Sequence, residues 1–309
     1  MADKKRVVVT GATGLIGKAL CKALQADGYD VVVFARDPEQ ARRAVPGATD
    51  YVSWSASPEP GAWAAHIDGA WGVVNLAGTP VAGKRWTEQR KREIRDSRVL
   101  GTRGIVAAIA AAAHKPQVLV NASAIGYYGP RDDTPLDEEA PPGHDFLAGV
   151  VAEWEAEARQ AEDAGVRVVM VRTGIVLDKN EGALAQLKLP YQFFVGGPVL
   201  PGTQWLSWIH HGDEVGIIML ALRDERARGP INATAPAPQT NRDFSHTLGR
   251  VMGRPSLVPV PGFALKLLFG EFADTLTTGQ RVLPAKAQEL GYRFQYDNSD
   301  PALRQILDS

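Results

Sequence analysis

Val7-Val8-Val9-Thr10-Gly11-Ala12-Thr13-Gly14-Leu15-Ile16-Gly17 runs from an apolar β-branched stretch through a glycine turn into a helix-spaced apolar series, and that order decides the fold. Leu15, Ile16, Ala19, Leu20, Ala23 and Leu24 continue the helical spacing. A tight strand-to-helix turn calls for a residue without Cβ at Gly11; Gly14 lets the backbone approach a pyrophosphate, and Gly17 lets the helix pack on the sheet. Phosphate oxygens would then face free backbone N–H groups at the positive end of the helix dipole. The expected phosphate-side residues are Gly11, Thr13, Gly14, Leu15, Ile16 and Gly17. The G-x-x-G-x-x-G spacing differs from the dehydrogenase G-x-G-x-x-G, so the strand and helix on either side carry the reading.

Outward from this turn the first half alternates. Strands are expected near 6–10, 30–35, 50–53, 72–76, 117–123 and 167–172, and helices near 15–26, 87–113 and 145–164. Such alternation predicts an α/β fold with a Rossmann-type doubly wound parallel sheet. After Thr173-Gly174 the chain is broken by Gly196-Gly197-Pro198, Pro201-Gly202, Pro236-Ala237-Pro238, Pro255, Pro259 and Pro261. Residues 1–173 are therefore read as the dinucleotide domain, with 207–234 returning to it. Residues 174–206 and 235–309 are read as a smaller C-terminal α/β lobe on the substrate side.

A length of 309 residues suffices for a large core, and a net charge of -1 argues against nucleic acid or a membrane surface as partner. No signal-peptide core or membrane-spanning stretch is evident, so the chain reads as cytoplasmic. The one cysteine, Cys21, rules out an intrachain disulfide, and no metal-ligand pattern stands out.

The second strand ends in Ala35-Arg36-Asp37, where such folds meet the adenosine ribose. An acid there would accept from the 2′-hydroxyl of NAD, whereas a guanidinium suits the 2′-phosphate of NADP, so Arg36 points to NADP. Asp37-Pro38-Glu39 also reads as the N-cap and first turn of the next helix, and Arg42 and Arg43 lie one turn on. Asn75-Leu76-Ala77-Gly78 brings small residues to a strand's carboxyl end, where a cofactor can approach the backbone. From Lys84 to Arg103 eight basic residues stand against Glu88, Glu93 and Asp96, the pattern of a solvated helix face or of an anion site.

The fifth strand ends Asn121-Ala122-Ser123, followed by Ala124-Ile125-Gly126-Tyr127-Tyr128-Gly129. With the glycine turn and Asn75 to Gly78, these residues resemble the short-chain dehydrogenase/reductase superfamily in its extended, epimerase-like branch. Gly83 to Thr87, Ser97-Arg98-Val99, Val171 to Leu177, Gly196-Gly197-Pro198, Trp208-Ile209-His210 and Gly279 to Pro284 are similar to an atypical family related to NAD-dependent epimerases and dehydratases. That family ends in a C-terminal domain of unknown function. With Arg36 read as above, the resemblance implies NADP(H) as cofactor and a small-molecule substrate, and superfamily relatives often form homodimers through helices.

Superfamily enzymes carry a tyrosine and, four residues on, a lysine beside the serine, because a phenol near pKa 10 exchanges protons poorly without an adjacent cation. The matching positions here are Phe146 and Val150, which cannot transfer a proton. Ser123 and Tyr127 remain as candidate catalytic groups, with Ser123 also facing the cofactor; Tyr128 and His210 are lesser ones. Glu153 and Glu155 are read as facing solvent, and Trp205, Ser207 and Trp208 as either cleft lining or core. Two functions stay open: an NADP(H)-dependent, epimerase-like oxidoreductase acting on a carbonyl or hydroxyl carbon, or a non-catalytic NADP(H)-binding redox sensor or scaffold.

Overall fold

A computed structural model describes residues 5–308. Its strands are β1 (Arg6–Thr10), β2 (Asp30–Ala35), β3 (Asp50–Ser53), β4 (Gly72–Asn75), β5 (Val118–Ala124), β6 (Pro135–Leu136), β7 (Arg167–Thr173), β8 (Ile175–Leu177), β9 (Trp205–Leu206), β10 (Trp208–His210), β11 (Gly229–Ala233), β12 (Gln239–Thr240) and β13 (Arg281–Val282). The helices are α1 (Leu15–Ala26), α2 (Pro38–Ala44), α3 (Glu88–Ala111), α4 (Phe146–Arg159), α5 (Gly182–Leu187), α6 (Leu189–Gln192), α7 (His211–Arg223), α8 (Asn241–Met252), α9 (Gly262–Phe269), α10 (Asp274–Thr277), α11 (Ala285–Glu289) and α12 (Ser299–Asp308).

Seven strands form one sheet in the order β11-β7-β5-β4-β1-β2-β3, every pair parallel. The alternation of side chains along each strand explains why both faces are covered. Val7 and Val9, Val31 and Val33, and Val118 and Val120 enter one core with Leu20, Cys21 and Leu24 of α1 and Ile217, Ile218 and Leu222 of α7. Val8, Val32 and Leu119 point the other way, onto Ile105, Val106 and Ile109 of α3 and Ala158 of α4. Helices on both faces of a parallel sheet make this a doubly wound fold.

Although α7 and β11 follow the chain's excursion past Gly174, β11 joins the central sheet beside β7 and α7 contributes to the core that α1 covers. A separate apolar cluster of Leu177, Leu184, Tyr191, Leu206, Trp208, Phe244, Leu248, Leu303 and Ile306 packs apart from the two cores on the faces of the sheet. Among the described residues no helix is long and apolar enough to cross a membrane.

Candidate functional site

In a parallel sheet of this order the carboxyl ends of β5, β4, β1 and β2 lie side by side, so the loops after them share one edge. The turn after β1 is fixed from within. Thr10 Oγ1 donates to Asn75 Oδ1 (2.6 Å) and accepts from the amides of Leu76 and Ala77 (3.1 Å each), which ties β1 to the end of β4. Gly11 has φ +65°, and a Cβ there would lie 2.7 Å from the Leu76 carbonyl carbon; at Gly17 it would lie 2.3 Å from the Gly11 oxygen. Both glycines are demanded by the protein's own packing. Gly14 is not: its φ is -79°, and a Cβ would meet only the Gly11 oxygen, at 3.4 Å.

Gly14 is the N-cap of α1, with no capping side chain and no acid in the first turn. The first-turn amides therefore carry the helix's positive end into an exposed turn with Thr13 and Gly14 at its surface. That is the cradle a diphosphate fits.

Beside it, Asn75 is buried and turned inward. Its amide donates to Thr102 Oγ1 (2.9 Å) and to Asn121 Oδ1 (2.7 Å), leaving the backbone of Leu76, Ala77 and exposed Gly78 to face the edge. On the other side of β1, Arg36 stands exposed at the end of β2. Asp37 accepts from the Gln40 amide (3.0 Å), the N-cap that Asp37-Pro38-Glu39 predicts, so its carboxylate is directed at α2. Arg42 stacks on Tyr51 at 4.5 Å, and Arg43 is exposed.

The end of β5 is built on an ion pair that the sequence reading missed. Arg172 and Glu155 are 1 % and 2 % exposed and meet in two hydrogen bonds, Nε to Oε1 at 2.8 Å and Nη2 to Oε2 at 2.9 Å. Glu155 therefore does not face solvent as expected. The neighbouring Glu153 does reach outward, to Arg95 at 2.6 Å. The signal was present in α4: Glu155 lies four residues after Val151 and three before Ala158, on the face that is buried.

Burial works against the Arg172 charge, but the hydrogen bonds and attraction of Glu155 outweigh it and hold the guanidinium above its ordinary range. Ser123, 4 % exposed, gives its hydroxyl proton to Glu155 Oε1 (2.6 Å), so toward any ligand it offers lone pairs. Tyr128 is fully buried, donating to Asn232 Oδ1 (2.7 Å) and accepting from Arg172 Nη1 (2.9 Å). Burial pushes its phenol up to about 12. Tyr127 lies half-buried with its ring face 3.6 Å from the Arg172 guanidinium. Of the two adjacent tyrosines, Tyr128 has its hydroxyl committed inside the protein.

The positions matched to the superfamily's tyrosine and lysine are packing positions. Phe146 begins α4, capped by Asp145, and sits 5.3 Å from the Trp86 ring; Val150 is 4 % exposed. Among the lesser candidates, His210 is 3 % exposed: Nδ1 accepts from the Gly212 amide (3.0 Å) and Nε2 lies 2.8 Å from Gln305 Oε1. Burial lowers its proton affinity, and the two contacts make it a neutral cap for α7.

Trp208 and Ser207 are core residues, Ser207 donating to the Gln280 carbonyl (2.7 Å), whereas Trp205 is half-buried with Nε1 on Asp133 (2.8 Å). A further buried acid escaped the sequence reading. Glu214, on α7, accepts from Thr173 at the end of β7 (2.7 Å), and burial pushes its carboxyl up to about 8.

The comparisons with known proteins agree with this geometry. The sequence profile of the NAD dependent epimerase/dehydratase family matches residues 7–233, and that of a domain of unknown function matches residues 260–306. The chain is 43% identical over 303 residues to the chloroplastic epimerase family protein SDR39U1 homolog of Arabidopsis thaliana, covering 97% of this chain and 86% of that one. It is 38% identical to the epimerase family protein YfhF of Bacillus subtilis, with 97% of each covered. Among solved structures, human epimerase family protein SDR39U1 (isoform 2), crystallised with NADPH, superposes with a TM-score of 0.88 at 33% identity, covering 98% of this chain and 99% of that one. A glycine cradle at the edge of a doubly wound sheet, a profile match over most of the length and relatives aligned nearly end to end lead to one conclusion: the chain belongs to the NAD-dependent epimerase/dehydratase family.

Proposed function

We propose that the protein is an NADP(H)-dependent, epimerase-like oxidoreductase acting on a carbonyl or hydroxyl carbon of a small molecule. The observation that carries this reading is Gly14. Its missing Cβ answers no internal contact, so the open turn and its free amides are accounted for by a ligand phosphate. Exposed Arg36 at the end of β2 supports NADP over NAD, as does the NADPH in the human SDR39U1 structure.

When bound, NADP(H) would supply the hydride chemistry at a substrate carbon. The chain's own groups handle the oxygen on that carbon. Tyr127 holds or gives a proton there, its ring backed by Arg172, and Ser123 accepts a hydrogen bond from a substrate hydroxyl because its own proton is held by Glu155. Arg172 and Glu155 are positioning residues in this scheme.

One observation favours the second reading, a redox sensor or scaffold that binds NADP(H) without turnover: Phe146 and Val150 place only hydrocarbon where the superfamily has its proton-transferring pair. A panel of carbonyl compounds, followed by NADPH absorbance, separates the two. The enzyme reading expects substrate-dependent oxidation that falls on the order of a hundredfold in Tyr127→Phe. NADPH binding with no oxidation across the panel would leave the sensor reading in its place.

A further inference from the structure

Helix α3 carries most of the basic residues between Lys84 and Arg103, and most of those on α3 meet an acid. Arg90 pairs with Glu93, Lys91 with Glu271, Arg95 with Glu153, and Arg103 with Glu157. Arg92 is exposed to water. Arg98 is different. It is half-buried; its Nη1 donates to the carbonyls of Thr79 (2.9 Å) and Ile94 (3.0 Å), and its guanidinium lies 5.2 Å over the Trp154 ring. Among the described residues no carboxylate offsets it. Burial, then the nearby charge of Arg90, lowers it to about 10, so it stays protonated at neutral pH.

Nη2 and Nε lie against Gly78, where an added Cβ would come within 3.2 and 3.4 Å of them. Gly78 belongs to the segment already placed beside the glycine turn. Trp154 Nε1 donates to Thr102 Oγ1 (2.8 Å), which puts these two residues at one level of the α3–α4 interface. Arg98 is one turn before Thr102 and Val150 one turn before Trp154, and both helices begin at the carboxyl edge of the sheet. Arg98 therefore starts one turn nearer that edge than the Thr102–Trp154 contact, with its uncompensated cation over the Trp154 ring and against Gly78.

The side follows from strand order. A diphosphate on α1 with its adenosine toward Arg36 and β2 must send its nicotinamide over β4 and β5, and α3 is the connection between those two strands. Resting on the cofactor reading above, we infer that Arg98 meets the nicotinamide half of the dinucleotide and favours the reduced, uncharged ring over the oxidised, cationic one. A like charge within about 10 Å, at an effective dielectric constant near 20, amounts to roughly a tenfold difference in affinity.

Calorimetric titration of wild type, Arg98→Gln and Arg98→Lys with NADPH and with NADP+ tests this, with thermal unfolding of each free protein as the folding control. Wild type is expected to bind NADPH about tenfold more tightly than NADP+, the lysine variant to keep that ratio and the glutamine variant to bring it near one. A glutamine variant that keeps the full ratio overturns the inference. Should that variant not fold, wild type alone decides, since equal affinity for the two forms also overturns it while leaving the cofactor reading standing. Wild type that binds neither nucleotide defeats both.

Discussion

Gly14 and Gly17 lie three residues apart in one turn, yet a methyl group added at each meets different surroundings. At Gly17 it would be driven to 2.3 Å from the Gly11 oxygen and 2.6 Å from the Ala12 Cα, backbone atoms that cannot yield without moving α1 off the sheet. Overpacking of this kind costs about 1–3 kcal/mol or more. Gly17→Ala should therefore lower the urea midpoint clearly. Gly14→Ala, which gives up a favourable N-cap, should lower stability by under about 1 kcal/mol and weaken NADPH binding about tenfold, because its methyl projects where phosphate approaches. Equal loss of stability in both variants would show that Gly14 too is a packing residue. The turn role of Gly11 and the packing role of Gly17 were legible from residue type and spacing, whereas the inward turn of Asn75 was not, since it depends on Thr10, Thr102 and Asn121 converging from three other elements.

At the scale of elements, the strands and helices of the first half fall within a few residues of their expected bounds, because β-branched runs and 3.6-residue periodicity are local signals. The expected helix near 145–164 is α4 to Arg159 followed by a 3-10 turn over Gln160–Ala164. Charge partners are not local. The basic face of α3 is matched by Glu153 and Glu157 of α4, and Glu155 of α4 is matched by Arg172 of β7; helical spacing marks Glu155 as facing inward, but nothing in the sequence around these residues names their partners.

The Glu155–Arg172 pair clamps α4 to β7 beneath Ser123. Removing one partner strands a buried charge, which typically costs about 3–5 kcal/mol. Glu155→Ala should accordingly lose stability of that order in denaturant titration and free the Ser123 hydroxyl. Glu153→Ala, on the exposed pair with Arg95, should lose about 1 kcal/mol or less. Similar losses in the two variants would contradict the clamp.

For the molecule as a whole, the doubly wound sheet was legible because strand–helix alternation admits few other architectures. The separate apolar cluster built on residues after Gly174 was foreshadowed only by a run of Gly and Pro breaks. It draws Leu177, Trp208, Phe244 and Leu303 from segments spread over more than a hundred residues, a convergence that no window of sequence displays. The cleft edge is likewise a product of topology. Strand order sets Arg36, the glycine turn, Gly78 and Tyr127 side by side, from β2 across β1 and β4 to β5, and Arg98 of α3 lies against Gly78.

A dinucleotide lying along that edge would place its 2′-phosphate on Arg36. Calorimetric titration of the wild-type chain and of Arg36→Ala with NADPH and NADH tests this most directly. NADPH is expected to bind saturably at one site and more tightly than NADH, with Arg36→Ala weakening NADPH about tenfold or more and NADH little. Absence of any binding heat with either nucleotide, or equal weakening of both in the variant, would contradict that placement.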